Sequence, residues 1–362
     1  MRILVLNAGK FASLDGGAVR CRELLVKAGH DVVWADPVTS KNYYKTEDVL
    51  EGVPKNVELV AGRYVKENPM GEWWAREKHF LSAAEKFDGD AAVCYNAWGT
   101  WRARRHLQKK GVPAVFDYID LMHAFRSNAV ERAVSRKATV HALRQSDAVV
   151  ATATDLVRDA KQFNEHVALV PNGVDTAFYA SAKPLKTKKP CVGFVGGFGP
   201  WLDVDALVFA AKKNPGVQFH LIGDGLQRKK LEEMAQRVSN VNVSDGFVPP
   251  VQARRWMASF DAGLIPFKKS ALTDAVCPLK LFEYWASNTA VIASPNKEVH
   301  QVAKDAALWA RTPQDLADAV REITRNTSKR KALVHAGKKK VAAYDWKVLR
   351  KKFLSVLEDV AA

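Results

Sequence analysis

A chain of 362 residues is long enough for two domains, each with its own core. Its 48% hydrophobic and 26% charged residues exclude a disordered chain, and no apolar run reaches the roughly 18–20 residues that cross a bilayer as a helix. The net charge of +16 points to anionic partners (lipid, glycan or nucleic acid), although a merely solvated lysine-rich surface has the same composition.

The chain opens on Met1-Arg-Ile-Leu-Val-Leu-Asn7, the pattern of a buried strand and too short for a signal-peptide core. A cytoplasmic protein is expected, with peripheral attachment at the inner face of a membrane as the form its cationic surface allows. A helix is expected over 17–29, with Ala18, Cys21, Leu25 and Ala28 near one face and Gly29 as its stop. Further strand candidates fall at 32–34, 91–95, 114–117, 147–152 and 167–170. Residues 181–190, rich in Lys and Pro, read as a linker. Strands then resume at 191–196, 217–222, 241–243, 261–266, 290–294 and 307–309, and 329–361 reads as a basic helix, a break near Tyr344-Asp-Trp346 and a last helix. Strand–helix alternation in both halves predicts two α/β units with mostly parallel sheets, and the cleft between two such units is a natural ligand site.

The four cysteines, Cys21, Cys94, Cys191 and Cys277, show neither C-x-x-C pairing nor metal-ligand spacing and are expected as buried thiols. Gly16-Gly17 opens a helix after the first strand, where backbone N–H groups approach an anion; the same pair also suits a plain strand-to-helix turn. Gly193, Gly196, Gly197 and Gly199, with Gly223-Asp-Gly225, lie near strand ends without the G-x-G-x-x-G context of a dinucleotide site, and tight turns explain them equally well. In Cys277-Pro-Leu-Lys-Leu-Phe-Glu-Tyr-Trp-Ala286, Pro278 suits a helix start and Lys280 and Glu283 share a face. A diphosphate fits that N-terminus and ribose hydroxyls fit Glu283, while a surface Lys–Glu pair has the same spacing.

The segment Pro278–Ser294 resembles the donor-site motif of family-4-type glycosyltransferases, and other matches follow in the family's order. They are Gly29-His-Asp-Val-Val33, Pro171-Asn-Gly-Val-Asp175, Leu221-Ile-Gly-Asp-Gly225, Asp261-Ala-Gly-Leu-Ile-Pro266 and Tyr344-Asp-Trp346, so the resemblance spans residues 1–355. It implies a GT-B fold: two Rossmann-like α/β domains with a cleft between them, and a C-terminal helix packing back on the N-terminal domain. The implied boundaries are 1–180 for the acceptor side, 181–343 for the donor side and 344–362 for the closing helix.

By resemblance, Glu283 is the second glutamate of the E-x7-E motif and binds the donor ribose. Lys280, Pro278 and Leu279 face the phosphates, Gly197 belongs to the donor site, and Gly17 approaches the phosphates from the other domain. Asn172 and Asp175 shape the hinge. The first glutamate of the motif falls on Ala275, with Asp274 beside it as the candidate replacement, and the family's Arg and Lys pair is missing from Val195-Gly-Gly-Phe-Gly-Pro-Trp-Leu-Asp203. Asp88-Gly-Asp90 and Asp203-Val-Asp205 resemble the D-x-D metal motif of the other glycosyltransferase fold, but a turn and a helix start explain them. The resemblance therefore implies no metal and no cofactor beyond the nucleotide-sugar co-substrate.

Acceptor-side candidates are Asp117, Asp120 and His123, at the C-terminal end of a first-half strand. Loop capping by the aspartates is the competing explanation. Tyr43, Tyr44, Trp73 and Trp74, and the cation–aromatic run 96–106, suit stacking on sugars or bases; alternatively 96–106 is a basic amphipathic helix with its Trp residues inward. The expected function is retaining transfer from a nucleotide sugar to an acceptor hydroxyl on a lipid-linked or surface glycan. The alternatives are a DNA glycosyltransferase acting on modified bases and a catalytically degenerate module that binds nucleotide or polyanion.

Overall fold

The structure is a computed structural model that describes residues 1–7, 9–11, 16–36, 52–62, 69–126 and 128–362. The chain forms two compact units, Met1–Asn172 with Trp346–Ala362, and Gly173–Asp345. Residues 173–180, assigned to the first domain from the sequence, lie in the second unit. There the Val174 N–H donates to Tyr344 O at 2.9 Å, the Thr176 hydroxyl donates to Asp345, and the 181–190 segment is tied to Ser259 through Leu185 N at 2.7 Å.

The described part of the first unit holds a parallel sheet of β1 (Arg2–Leu6), β2 (Asp31–Ala35), β3 (Val57–Val60), β4 (Ala91–Cys94), β5 (Ala114–Tyr118), β6 (Ala148–Ala151) and β7 (Val167–Leu169), in the order β3-β2-β1-β4-β5-β6-β7. The central strands β4, β5 and β6 are buried at every position, as parallel strands covered on both faces must be. The edge strand β3, Val57-Glu-Leu-Val60, is half exposed, with Glu58 paired to Arg2 at 3.0 Å, and its short apolar stretch broken by that charge was not among the strands read from the sequence. The helix Gly16–Leu24 ends in a short 3-10 turn, and Gly29 takes the left-handed φ of +83° that stops it. The terminal helix Trp346–Ala361 buries Leu349, Phe353 and Leu357 in the same cluster as Ile3, Val5, Ala18 and Cys21, so it packs back on the N-terminal sheet.

The second sheet is also parallel: β8 (Cys191–Val195), β9 (Gln218–Ile222), β10 (Val241–Val243), β11 (Ala262–Ile265), β12 (Ala290–Ala293) and β13 (Leu308–Trp309), in the order β10-β9-β8-β11-β12-β13. Gly193 on β8 lies opposite Gly263 on β11. A Cβ on Gly193 would meet the Phe260 ring at 2.3 Å, and one on Gly263 would meet the Tyr284 ring at 2.5 Å. The two missing side chains let those rings lie directly on the sheet. In each unit the strand order reverses once, between β1 and β4 and between β8 and β11, and such switch points are where open α/β sheets bind ligands, beyond the strands' carboxyl ends.

Candidate active site

The helix Leu279–Ala286 is held over the second switch point by its buried face. Tyr284 packs on Gly263, and its hydroxyl accepts from Val195 N at 3.1 Å. The Trp285 indole donates to Ala306 O at 3.1 Å and lies so close to Gly337 that a Cβ there would meet the ring at 2.2 Å. With those aromatics locked inward, Lys280 and Glu283 take the opposite, partly exposed face and form an ion pair of 2.8 Å. The Tyr179 hydroxyl donates to the other carboxylate oxygen of Glu283 at 2.8 Å. Burial and the neighbouring carboxylate push that phenol well above its usual range, so it remains a donor. Pro278 caps the helix start without a side-chain acceptor; Leu279 N and Leu281 N already donate to Cys277 O and Pro278 O, both at 3.0 Å, so what the helix start offers an anion is its positive dipole end.

The glycine loops complete this edge. Gly196 has φ +154°, and a Cβ there would lie 2.8 Å from Lys280 Cε. Gly196 N donates to Ile222 O at 2.9 Å and Phe198 N to Asp224 O at 2.7 Å, so the loops after β8 and β9 pack backbone against backbone. Gly197 is exposed and its Cα faces open space. Lys280 therefore reaches the carboxyl end of β8, where backbone, ammonium and helix start converge. Asp274 points elsewhere: its carboxylate accepts from Lys297 N at 2.9 Å, and the neighbouring Ala275 is buried.

In the first unit Gly17 is buried in the first turn of the helix Gly16–Leu24 that follows β1. Asn172 ends the unit's main segment, and the Asp175 carboxylate caps the helix Thr176–Ala180 by accepting from Phe178 N at 2.8 Å. Asp120 and His123 lie just past β5, both half-buried. Burial pushes the Asp120 carboxyl up to about 7. Burial first, and then the Arg136 cation, pull His123 below the usual imidazole value. Arg136 is held in a bidentate pair with Asp159, both bonds 2.6 Å, and Tyr118 donates to the same carboxylate at 2.9 Å.

Asp117 requires a correction. It is fully buried and paired with Arg20 at 2.7 Å, out of reach of any acceptor, and it serves the fold. A second correction concerns 96–106. The helix Trp101–Lys109 buries Ala103, Arg104 and Leu107 and leaves Trp101 40% exposed, because the buried Glu77 carboxylate accepts from Trp101 N and Arg102 N and sets the helix facing that way. Trp74 is exposed, and Tyr43 and Tyr44 lie outside the described residues. Asp90 accepts from Arg2 N, Asp203 caps a helix by accepting from Ala206 N, and Asp205 pairs with Lys230. Among the described residues no group of three or more His, Cys, Asp or Glu is arranged to hold a metal ion.

Two family models match: one described as Glycosyltransferase Family 4 over residues 17–178, and one described as glycosyl transferase-like over residues 205–348. The chain belongs to the family-4-type glycosyltransferases of the GT-B fold. Among curated relatives it is 28% identical over 198 residues to a putative teichuronic acid biosynthesis glycosyltransferase of Bacillus subtilis, covering 50% of each chain. It is 29% identical over 208 residues to a phosphatidyl-myo-inositol mannosyltransferase of Mycobacterium tuberculosis, covering 53% of this chain and 54% of that one. The matched stretch is thus about half the length of these relatives. Among solved structures, sucrose-phosphate synthase from Thermosynechococcus elongatus superposes with a TM-score of 0.81 at 17% identity over 99% of both chains. Anabaena HepE in complex with UDP superposes with a TM-score of 0.73 at 18% identity, over 99% of this chain and 100% of that one. These likenesses establish the two-sheet GT-B fold of this chain.

Proposed function

We propose that the protein is a retaining glycosyltransferase that moves a sugar from a nucleotide-diphosphate donor to a hydroxyl of a lipid-linked or surface glycan. The observation that carries this reading is the Lys280–Glu283 pair, at the start of a helix whose positive dipole end stands at the carboxyl edge of the second sheet. The diphosphate takes the helix start and Lys280, and the ribose diol takes Glu283. As the anomeric bond breaks, negative charge grows on the diphosphate, where Lys280 and the helix dipole stabilise it in place of a metal. Retention follows if the acceptor hydroxyl attacks from the leaving-group face and its proton passes to the departing phosphate. The UDP of HepE and the lipid and glycan named for the relatives support uridine donors and an envelope-type acceptor.

A surface beside the acceptor-side residues favours a lipid-linked acceptor. Phe125, Val130 and Val134 are exposed, Val130 by 74%, next to Arg126 and Arg132. Apolar groups among cations suit an anionic lipid surface, to which the protein would attach peripherally. No helix among the described residues is long and apolar enough to cross a membrane.

The donor assignment is tested by thermal shift and calorimetric titration with UDP-, GDP- and dTDP-sugars. Glu283→Ala is expected to weaken the one donor that stabilises the wild type by about tenfold to a hundredfold, the loss of hydrogen bonds to a carboxylate. Glu283→Gln, which keeps an acceptor for Tyr179, controls for folding. Unchanged donor affinity in both variants would remove Glu283 from the site. Donor binding that persists without turnover would favour a degenerate binding module.

Acceptor-side chemistry is tested by pH. With its carboxyl raised to about 7, Asp120 is neutral in mildly acidic solution and ionised above neutrality. If the ionised form orients the acceptor hydroxyl, kcat rises with pH through about 7 in the wild type, and that rise disappears in Asp120→Asn. The stability effect has the opposite sign. Because the folded state holds this proton more tightly than the unfolded chain, Asp120 makes folding less favourable as pH rises from about 4 to 7. Asp120→Asn should flatten that slope in pH-dependent melting.

A further inference from the structure

The Glu283 carboxylate is held from two sides. The Tyr179 hydroxyl donates to its Oε1 and the Lys280 ammonium to its Oε2, both at 2.8 Å. The last torsion of a glutamate is broad and nearly two-fold, so packing does not set the plane of the carboxylate and hydrogen bonds must. An ionised carboxylate has about four lone-pair sites. With one taken on each oxygen, acceptor capacity remains on each, and the side chain is still 16% exposed. Two such acceptors side by side match a pair of vicinal hydroxyl donors.

Tyr179 is placed by the fold rather than drawn in by Glu283. Its helix, Thr176–Ala180, is fixed along its length. The Asp175 carboxylate caps it through Phe178 N at 2.8 Å, and the Asp345 carboxylate accepts from Thr176 N at 3.3 Å and from the Thr176 hydroxyl. The Arg254 guanidinium lies 4.1 Å over the Phe178 ring and donates to Phe178 O and, at 3.1 Å, to Ser181 Oγ. The Tyr179 ring meets Phe178 edge-on at 5.3 Å and packs against the cluster that contains Phe282 and Tyr284. A phenylalanine would fill the same space. What the hydroxyl adds is the bond to Glu283.

We propose that Tyr179 is a positioning residue for the donor: its hydroxyl sets the plane of the Glu283 carboxylate so that both oxygens accept from the 2′- and 3′-hydroxyls of a ribose, which makes the site selective for ribonucleotide over 2′-deoxyribonucleotide donors. The proposal rests on the reading of Glu283 as the ribose-binding group. Tyr179 acts only through that carboxylate and touches no reacting atom.

The test is calorimetric titration of the wild type, Tyr179→Phe and Glu283→Ala with UDP, GDP and their 2′-deoxy counterparts. The ratio of ribose to deoxyribose affinity on one variant cancels any loosening of the fold, because both ligands meet the same protein. The wild type is expected to prefer the ribonucleotide by about tenfold to a hundredfold, the loss of one hydrogen bond to a carboxylate. Tyr179→Phe should cut that preference by at least about threefold, with the melting temperature little changed and donor KM raised at nearly constant kcat. Glu283→Ala should bring the ratio close to unity. A preference kept in Tyr179→Phe but lost in Glu283→Ala would overturn the role of Tyr179 and leave the Glu283 reading standing. An equal fall in affinity for both ligands in Tyr179→Phe, with the ratio unchanged, would also overturn it, as the mark of a merely structural phenol. A preference that survives in Glu283→Ala, a wild type that shows none, or no binding of any of the four nucleotides would overturn the Glu283 reading and this proposal with it.

Discussion

Lys280→Ala is expected to lower kcat by about 10²–10³-fold while leaving the protein folded, the magnitude typical of removing one fixed donor from a developing oxyanion. The Lys280 side chain is 28% exposed and its stem lies on Gly196, so truncation opens space at the sheet edge rather than in the core. Glu283 keeps its bond from Tyr179 and the helix keeps its buried Tyr284 and Trp285. The measurement is steady-state kinetics with the donor identified by titration. A fall in kcat with donor KM little changed means Lys280 acts as charge develops on the diphosphate. A rise in KM at constant kcat would mean that it only binds the ground state, and unchanged kinetics would exclude it from the site.

The largest stability effect is expected at Arg20. Its guanidinium, 1% exposed, binds Asp117 at 2.7 Å and donates to Pro171 O at 2.7 Å and Val170 O at 2.9 Å, with Phe353 of the terminal helix 5.9 Å away. One side chain thus ties the first helix, β5, the segment after β7 and the terminal helix together. Arg20→Ala strands a buried carboxylate and two carbonyls, and should destabilise the protein by about 3–5 kcal/mol. Burial already raises the Asp117 carboxyl, and Arg20 is the group that opposes this. Without Arg20 the folded state holds the Asp117 proton more tightly than the unfolded chain does, so the variant loses stability as pH rises. Chemical denaturation should therefore show a larger deficit at pH 8 than at pH 5. Arg20→Ala with Asp117→Leu should recover part of the loss. A deficit under about 1 kcal/mol at both pH values would show that the pair does not hold these elements together.

Much of this architecture is legible in one dimension because parallel strands covered on both faces must be apolar at every position. Runs such as Ile3–Leu6, Ala148–Ala151 and Ala290–Ala293 therefore announce themselves without any partner in view. Gly29 marks its helix end for an equally local reason, since only a glycine takes that backbone angle without strain. Lys280 and Glu283 share a face by helix periodicity alone, and they do meet. The strand β3 escaped because an edge strand can be short and half exposed, and in Val57-Glu-Leu-Val60 one charge interrupts the apolar stretch.

What the tertiary structure decided are pairings between residues far apart in the chain. Tyr179 meets Glu283 across 104 positions, Arg20 meets Asp117 across 97, and Asp274 meets the Lys297 backbone across 23. No local pattern encodes these, because a carboxylate's partner depends on which loops the sheet order brings to one edge. The same holds for Asp117 and Trp101, whose roles turned on burial and helix facing rather than residue type. The sequence by itself determined the order of elements, the two parallel sheets and the helix carrying Lys280 and Glu283, because periodicity and backbone preference act over a few residues. Which charges are buried and which caps are filled were set only when distant segments packed, because desolvation and close contact are properties of three-dimensional neighbours.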